Sequence, residues 1–124
     1  MTAKTGIILA GLLGFLGVAA GAFGAHGLRD RVGPRELEIW QTAAHYQQLH
    51  AVLLLVVAAL ALREATALHG LAMGLIVAGV TIFSGTLYAI TLGAPRILGA
   101  ITPLGGLCLI AAWLTIALLG LRHI

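Results

Sequence analysis

The chain has 124 residues, 60% of them hydrophobic and 9% charged, with a mean hydropathy of +1.08. A soluble domain of that composition would expose too much apolar surface, which leaves an integral membrane protein. The formal charge of +3 rests on few residues and points to short basic connections beside lipid headgroups, not to a nucleic-acid partner.

The seven lysines and arginines and the four acids all lie outside four long apolar stretches. The predicted fold class is therefore all-α, an integral membrane four-transmembrane-helix bundle with short loops. It forms a single domain over residues 1–124, with spans at about 6–26, 40–62, 69–92 and 98–121. The single cysteine, Cys108, leaves no intrachain disulfide and no cysteine metal cluster to expect.

The first span could be mistaken for a signal peptide, since Ala20-Gly21-Ala22 resembles a cleavage site. Its apolar run of about 20 residues fits a bilayer crossing better. Ala10, Gly14, Gly17, Gly21 and Gly24 recur at steps of four, three, four and three. That is a 3.5-residue seam made of small groups, which lets another helix approach closely where lipid supplies no hydrophobic drive. Gly27 is expected to end the span as a left-handed cap, with His26 at the headgroup boundary.

Gly33-Pro34 then starts the second helix, with Glu36 and Glu38 favourable beside its N-terminus. Ala51–Leu62 is a run of twelve apolar residues, which rises only about 18 Å against a hydrocarbon core of about 30 Å. To cross, the helix must recruit about eight residues from its polar side. This draws His45, Tyr46, Gln47, Gln48 and His50 toward the membrane and sets His50 about 10 Å below the surface. An ionisable residue at that depth must face protein or water. Trp40 and Tyr46 are expected as interfacial anchors.

In the third span, Gly70, Gly74, Thr81, Gly85 and Tyr88 repeat the small-residue spacing. This second seam is the expected partner of the first. Thr81 and Ser84 are expected to bond back to their own helix carbonyls. Gly93–Arg96 is a turn. The fourth span offers two starts: Thr102 as cap with Pro103 at the first helical position, or a helix from Ile97 kinked at Pro103. Gly105 and Gly106 invite another close approach, and Trp113 lies mid-span or deeper.

Four spans joined by short connections alternate in direction. His26, Thr42, His45, Tyr46, His50, Ser84, Tyr88 and Thr102 thus belong to ends on one membrane face, the candidate polar cluster, while the other half is leucine, valine, isoleucine and alanine. Within that cluster His50 is expected to act as a latch. Its neutral ring has one donor and one acceptor, for Tyr88, Thr102 or a carbonyl near Ala25-His26.

Several motifs also follow one another along the chain. They are Gly21-Ala-Phe-Gly-Ala-His26-Gly27, Trp40-x-Thr42-Ala43-x-x-Tyr46-x-x-x-His50-Ala51, Phe83-Ser84-Gly85-x-Leu87-Tyr88, and Thr102-Pro103-x-Gly105-Gly106 with Trp113. Together they resemble the small four-helix bacterial membrane proteins of unknown function typified by YgdD and YwdK. The resemblance covers essentially the whole chain. It implies four spans and a bacterial inner-membrane location, and brings no substrate, cofactor or mechanism.

Chemistry narrows the functional classes further. His45 and His50 are five residues apart, about 140° around a helix, so they face one metal or haem poorly. His26 with His50 has no carboxylate to orient either ring. Ser84 lacks a nucleophile motif and no acid lies within the spans, so no catalytic residue, metal or cofactor is expected. A small scaffold or accessory subunit is the expected role, with transport by an oligomer as the alternative. The expected partners are the lipid bilayer and either a second copy of the chain or a larger membrane complex.

Overall fold

The structure, a computed structural model, describes residues 1–124. Helix α1 (Ala3–Phe23) continues through one wide π turn (Gly24–Leu28). Then follow α2 (Pro34–Arg63), α3 (Ala67–Thr91), a 3-10 turn (Arg96–Ala100) and α4 (Thr102–His123). All four helices are long and apolar enough to cross a membrane. α2, with 30 residues, is about 45 Å long, so its first turns extend beyond a hydrocarbon core of about 30 Å.

The helix ends follow local chemistry, with two departures from expectation. Pro34 opens α2 as predicted, after Gly33 in extended conformation. Gly27 is not a left-handed cap: Gly93 is the one residue with positive φ, at 107°. Instead the π turn carries the chain past Gly24, and Leu28 ends it buried inside. Thr102 is not the cap of α4. The 3-10 turn runs through Ile101 in helical conformation, Thr102 becomes the first α-helical residue, and its hydroxyl donates back to the Leu98 carbonyl at 3.2 Å.

Packing runs in sequence order, α1 on α2, α2 on α3 and α3 on α4. The core is Leu54, Val57, Ala58 and Ala61 of α2 against Ala72, Met73, Ile76 and Val80 of α3, closed by Ala10 of α1 and Leu109 and Ala112 of α4. Phe15, at 70% exposed, and Leu114, at 67%, show the opposite, lipid-facing surface.

The glycine seams pair differently from the prediction. The α1 seam meets α2, its hairpin neighbour, not α3. A Cβ on Gly17 would lie 3.0 Å from Gln48 Cγ, one on Gly24 2.7 Å from Trp40 Cδ1, and one on Gly14 an ordinary 3.8 Å from Ala51 Cβ. On α3, Gly74 and Gly85 have open space beside them, because the contact face of that helix is rotated toward Gly79. A Cβ on Gly105 would run into the Phe83 amide and come within 2.9 Å of the Gly79 carbonyl oxygen. One on Gly79 would lie 2.6 Å from Leu109. Gly106 has only the Phe83 ring at 3.9 Å. The α3–α4 crossing is thus set by Gly79 and Gly105.

Candidate functional site

The expected polar residues extend from the end of the bundle at the α1–α2 turn, which holds His26, to mid-bundle at His50. Thr91 of α3 donates to the Glu36 carbonyl at the start of α2 (3.3 Å), and Arg96 approaches the Glu36 carboxylate at 3.8 Å. Both side chains of that ion pair are exposed, so it contributes little to stability. Over this depth, however, the residues separate into distinct sets.

The first set fastens α1 to α2. Trp40 Nε1 donates to the Ala20 carbonyl (2.7 Å), Gln48 to that of Gly17 (2.9 Å), Gln47 to that of Leu13 (2.9 Å) and Gln41 to that of Gly21 (3.5 Å). Each helix carbonyl already accepts one bond along its own helix and has a second lone pair to offer. The missing side chains of Gly17, Gly21 and Gly24 make room for the donors to reach that lone pair. The glutamines were expected only as residues drawn into the membrane, and their partnership was not foreseen. The signal was present: Trp40, Gln41, Gln47 and Gln48 recur at the helical steps of the glycine row they meet.

Gln47 extends this set inward. It is buried, and its Oε1 accepts from Tyr88 OH at 2.7 Å, so one side chain ties together α1, α2 and α3. The Tyr88 ring packs on Trp40 with centroids 4.6 Å apart.

His50 belongs to a second set, on the side of α2 away from α1. Its Nδ1 is 2.8 Å from the Tyr46 carbonyl, which can only accept, and its Nε2 accepts from Trp113 Nε1 at 3.2 Å. Both bonds are made together only by the neutral ring with its proton on Nδ1. The predicted partners of His50 are therefore corrected: Tyr88 and Thr102 are engaged elsewhere, and the ends of α1 lie at another level. Trp113 was placed mid-span but not assigned to the cluster. Its bond is the one hydrogen bond between α2 and α4.

Around this pair, Tyr46 stacks on His50 with centroids 5.9 Å apart and packs on Phe83 at 4.6 Å. His45 lies beyond, its ring centroid 6.4 Å from that of Tyr46. These residues, with Gly106, Leu109 and Ile110, line a groove of about 420 Å³ between α2, α3 and α4.

The remaining residues act singly. Ser84 is buried and donates across to the Ala43 carbonyl of α2 (2.8 Å), not back to its own helix; Thr81 does bond back, to Val77 (2.7 Å). Thr102 pairs with Thr86 at 2.6 Å, a partner the sequence reading did not single out. Thr42 lines a separate shallow groove with Arg35, Glu38, Ile39 and Leu87. His26 is exposed in the π turn, away from His50. Nowhere do three His, Cys, Asp or Glu side chains converge as a metal site would require.

Comparison with known proteins gives a consistent assignment. Residues 20–106 match the family described as "Protein of unknown function (DUF423)". The chain is 40% identical to the UPF0382 membrane protein YwdK of Bacillus subtilis, over 98% of this chain and 99% of that one. It is 37% identical to a UPF0382 membrane protein of Haemophilus influenzae, over 90% of this chain and 89% of the relative. It is 34% identical to the UPF0382 inner membrane protein YgdD of Escherichia coli, over 91% and 86% of the two chains. No solved structure matches. With four helices able to span a bilayer and full-length relatives at this identity, the chain belongs to the DUF423 family of multi-pass membrane proteins.

Proposed function

We propose that this protein is a small scaffold or accessory subunit of the bacterial inner membrane, working as part of an assembly and without catalysis of its own. One observation carries the reading: no buried side-chain nitrogen or oxygen is left without a partner. Gln47, Gln48, His50, Ser84 and Thr102 each bond a neighbouring helix, a neighbouring side chain or a helix carbonyl, as residues that fix helix geometry do. A polar relay or substrate site among these residues would keep some of them free for its cargo. The inner-membrane placement is supported by the name of the Escherichia coli relative.

The test is blue-native electrophoresis from mild detergent, with mass spectrometry of co-migrating proteins. A discrete band containing a second membrane protein in fixed ratio is the expected result. A homo-oligomer that migrates alone and carries proton or anion flux in proteoliposomes would replace this reading with transport.

A further inference from the structure

The end of the bundle opposite the candidate site is not featureless. α3 starts with a reciprocal cap in which the Thr66 hydroxyl accepts from the His69 amide (3.5 Å) and the Thr66 amide donates to His69 Nδ1 (3.2 Å). The Thr66 hydroxyl also lies 2.8 Å from that nitrogen. A ring nitrogen that accepts from an amide carries no proton, so the proton of the neutral ring is on Nε2. His69 is only 4% exposed, yet Nε2–H has no acceptor within the chain. Since no fully buried side-chain nitrogen lacks a partner, Nε2 is the part of the ring that opens outward. It opens onto a pocket of about 350 Å³ that His69 lines with Leu60, Arg63, Glu64, Leu119 and His123.

We propose that this pocket binds a phospholipid with a zwitterionic, amine-bearing headgroup. The pocket lies where α2 ends at Arg63, α3 begins at Ala67 and α4 ends at His123, the headgroup level of a bilayer-spanning bundle. His69 Nε2–H, Arg63 and His123 supply donors for a phosphodiester. Glu64, beside them, repels a dianionic free phosphate but pairs with an ammonium. Leu60 and Leu119 give the wall that the glycerol and first methylenes follow toward the membrane. The outward-facing Nε2–H is unpaired within the chain, which leaves it free to donate to a phosphate oxygen at this level. The proposal does not depend on the scaffold reading.

Native mass spectrometry of the protein, released from micelles holding equal phosphatidylethanolamine and phosphatidylglycerol, reads the site directly. One phosphatidylethanolamine retained per chain, in preference to phosphatidylglycerol, is expected. His69→Glu keeps the cap, since Thr-x-x-Glu is itself a capping pair, but removes the donor. Arg63→Gln alters an exposed residue and leaves the fold intact. Each variant should lower lipid retention about tenfold, the loss of one charge-assisted bond. Glu64→Gln should abolish the headgroup preference. Wild-type retention in Arg63→Gln and in folded His69→Glu overturns the proposal. So does equal retention of both lipids by the wild type, or displacement of the lipid by millimolar inorganic phosphate, which would mark a site for free anions.

Discussion

Gln47→Leu tests whether polar bonds, and not apolar contact alone, fasten α1 into the bundle. Gln47 is 6% exposed, donates to the Leu13 carbonyl at 2.9 Å and accepts from Tyr88 OH at 2.7 Å. Leucine is of similar volume, so the change removes two interhelical bonds while leaving little cavity. Such bonds in membranes contribute about 0.6 kcal/mol on average and up to ~1.7 kcal/mol, which predicts a loss of about 1–3 kcal/mol. Tyr88→Phe removes one of the two bonds and should cost about half as much. The informative quantity is the coupling in the double-mutant cycle, read from equilibrium unfolding in mixed micelles. Once Gln47 is gone, Tyr88 has nothing left to lose at that contact, so a coupling of ~0.6 kcal/mol or more is expected. Additivity within ~0.3 kcal/mol would refute the bond, and with it the three-helix role of Gln47.

Other perturbations check separate parts of the bundle. Gly105→Ala drives a methyl group into the Phe83 amide and the Gly79 carbonyl and should cost about 1–3 kcal/mol, whereas Gly85→Ala, with open space, should be neutral or stabilising by helix propensity. Equal effects on thermal stability in detergent would remove the Gly79–Gly105 crossing. For the His50 latch, His50→Gln keeps a side chain that accepts from Trp113, so it should lose less stability than His50→Leu. Wild-type stability in both, with a cellular phenotype lost, would make His50 functional instead. Thr2→Cys and His123→Cys, in a Cys108-free background, should label from the same side of the membrane. Labelling from opposite sides is incompatible with four spans.

The helices were legible because hydrophobic length is a one-dimensional quantity. Counting residues against bilayer thickness located four spans, and Pro34 opened α2 where the sequence placed it. Which seam meets which was not legible from spacing, since Gly74 and Gly85 keep the same four-and-three rhythm as Gly17 and Gly24. Rhythm defines a face but not its neighbour. α1 lies against its hairpin partner α2, to which the short Leu28–Gly33 connection ties it. Ser84 was misjudged for a related reason. A serine in a membrane helix bonds back to its own carbonyl when it faces lipid, as Thr81 does, but reaches outward when a neighbouring backbone lies close enough.

The partner of His50 could have been narrowed by depth alone. α1 and α2 run antiparallel with Trp40 level with Ala20 and Gln47 level with Leu13. His50 is therefore level with about Ala10, and the Ala25-His26 carbonyls first considered lie some 22 Å away along the axis at about 1.5 Å per residue. Direction around the helix removes α1 altogether. Gln48 points at Gly17, and two residues later the helix has turned about 200°, so His50 faces away from the glycine seam. Tyr88 is taken by Gln47, one turn nearer the surface. Thr102 is at the very start of α4 and bonded to Thr86. What remains at that depth and on that side is the middle of α4, where Trp113 carries the only side-chain N–H donor that helix offers within its apolar run. A histidine that needs one acceptor and one donor takes the acceptor from its own helix at Tyr46 and the donor from Trp113. The bond that joins α2 to α4 thus follows from helical rise and rotation once the glutamines have fixed where α1 lies.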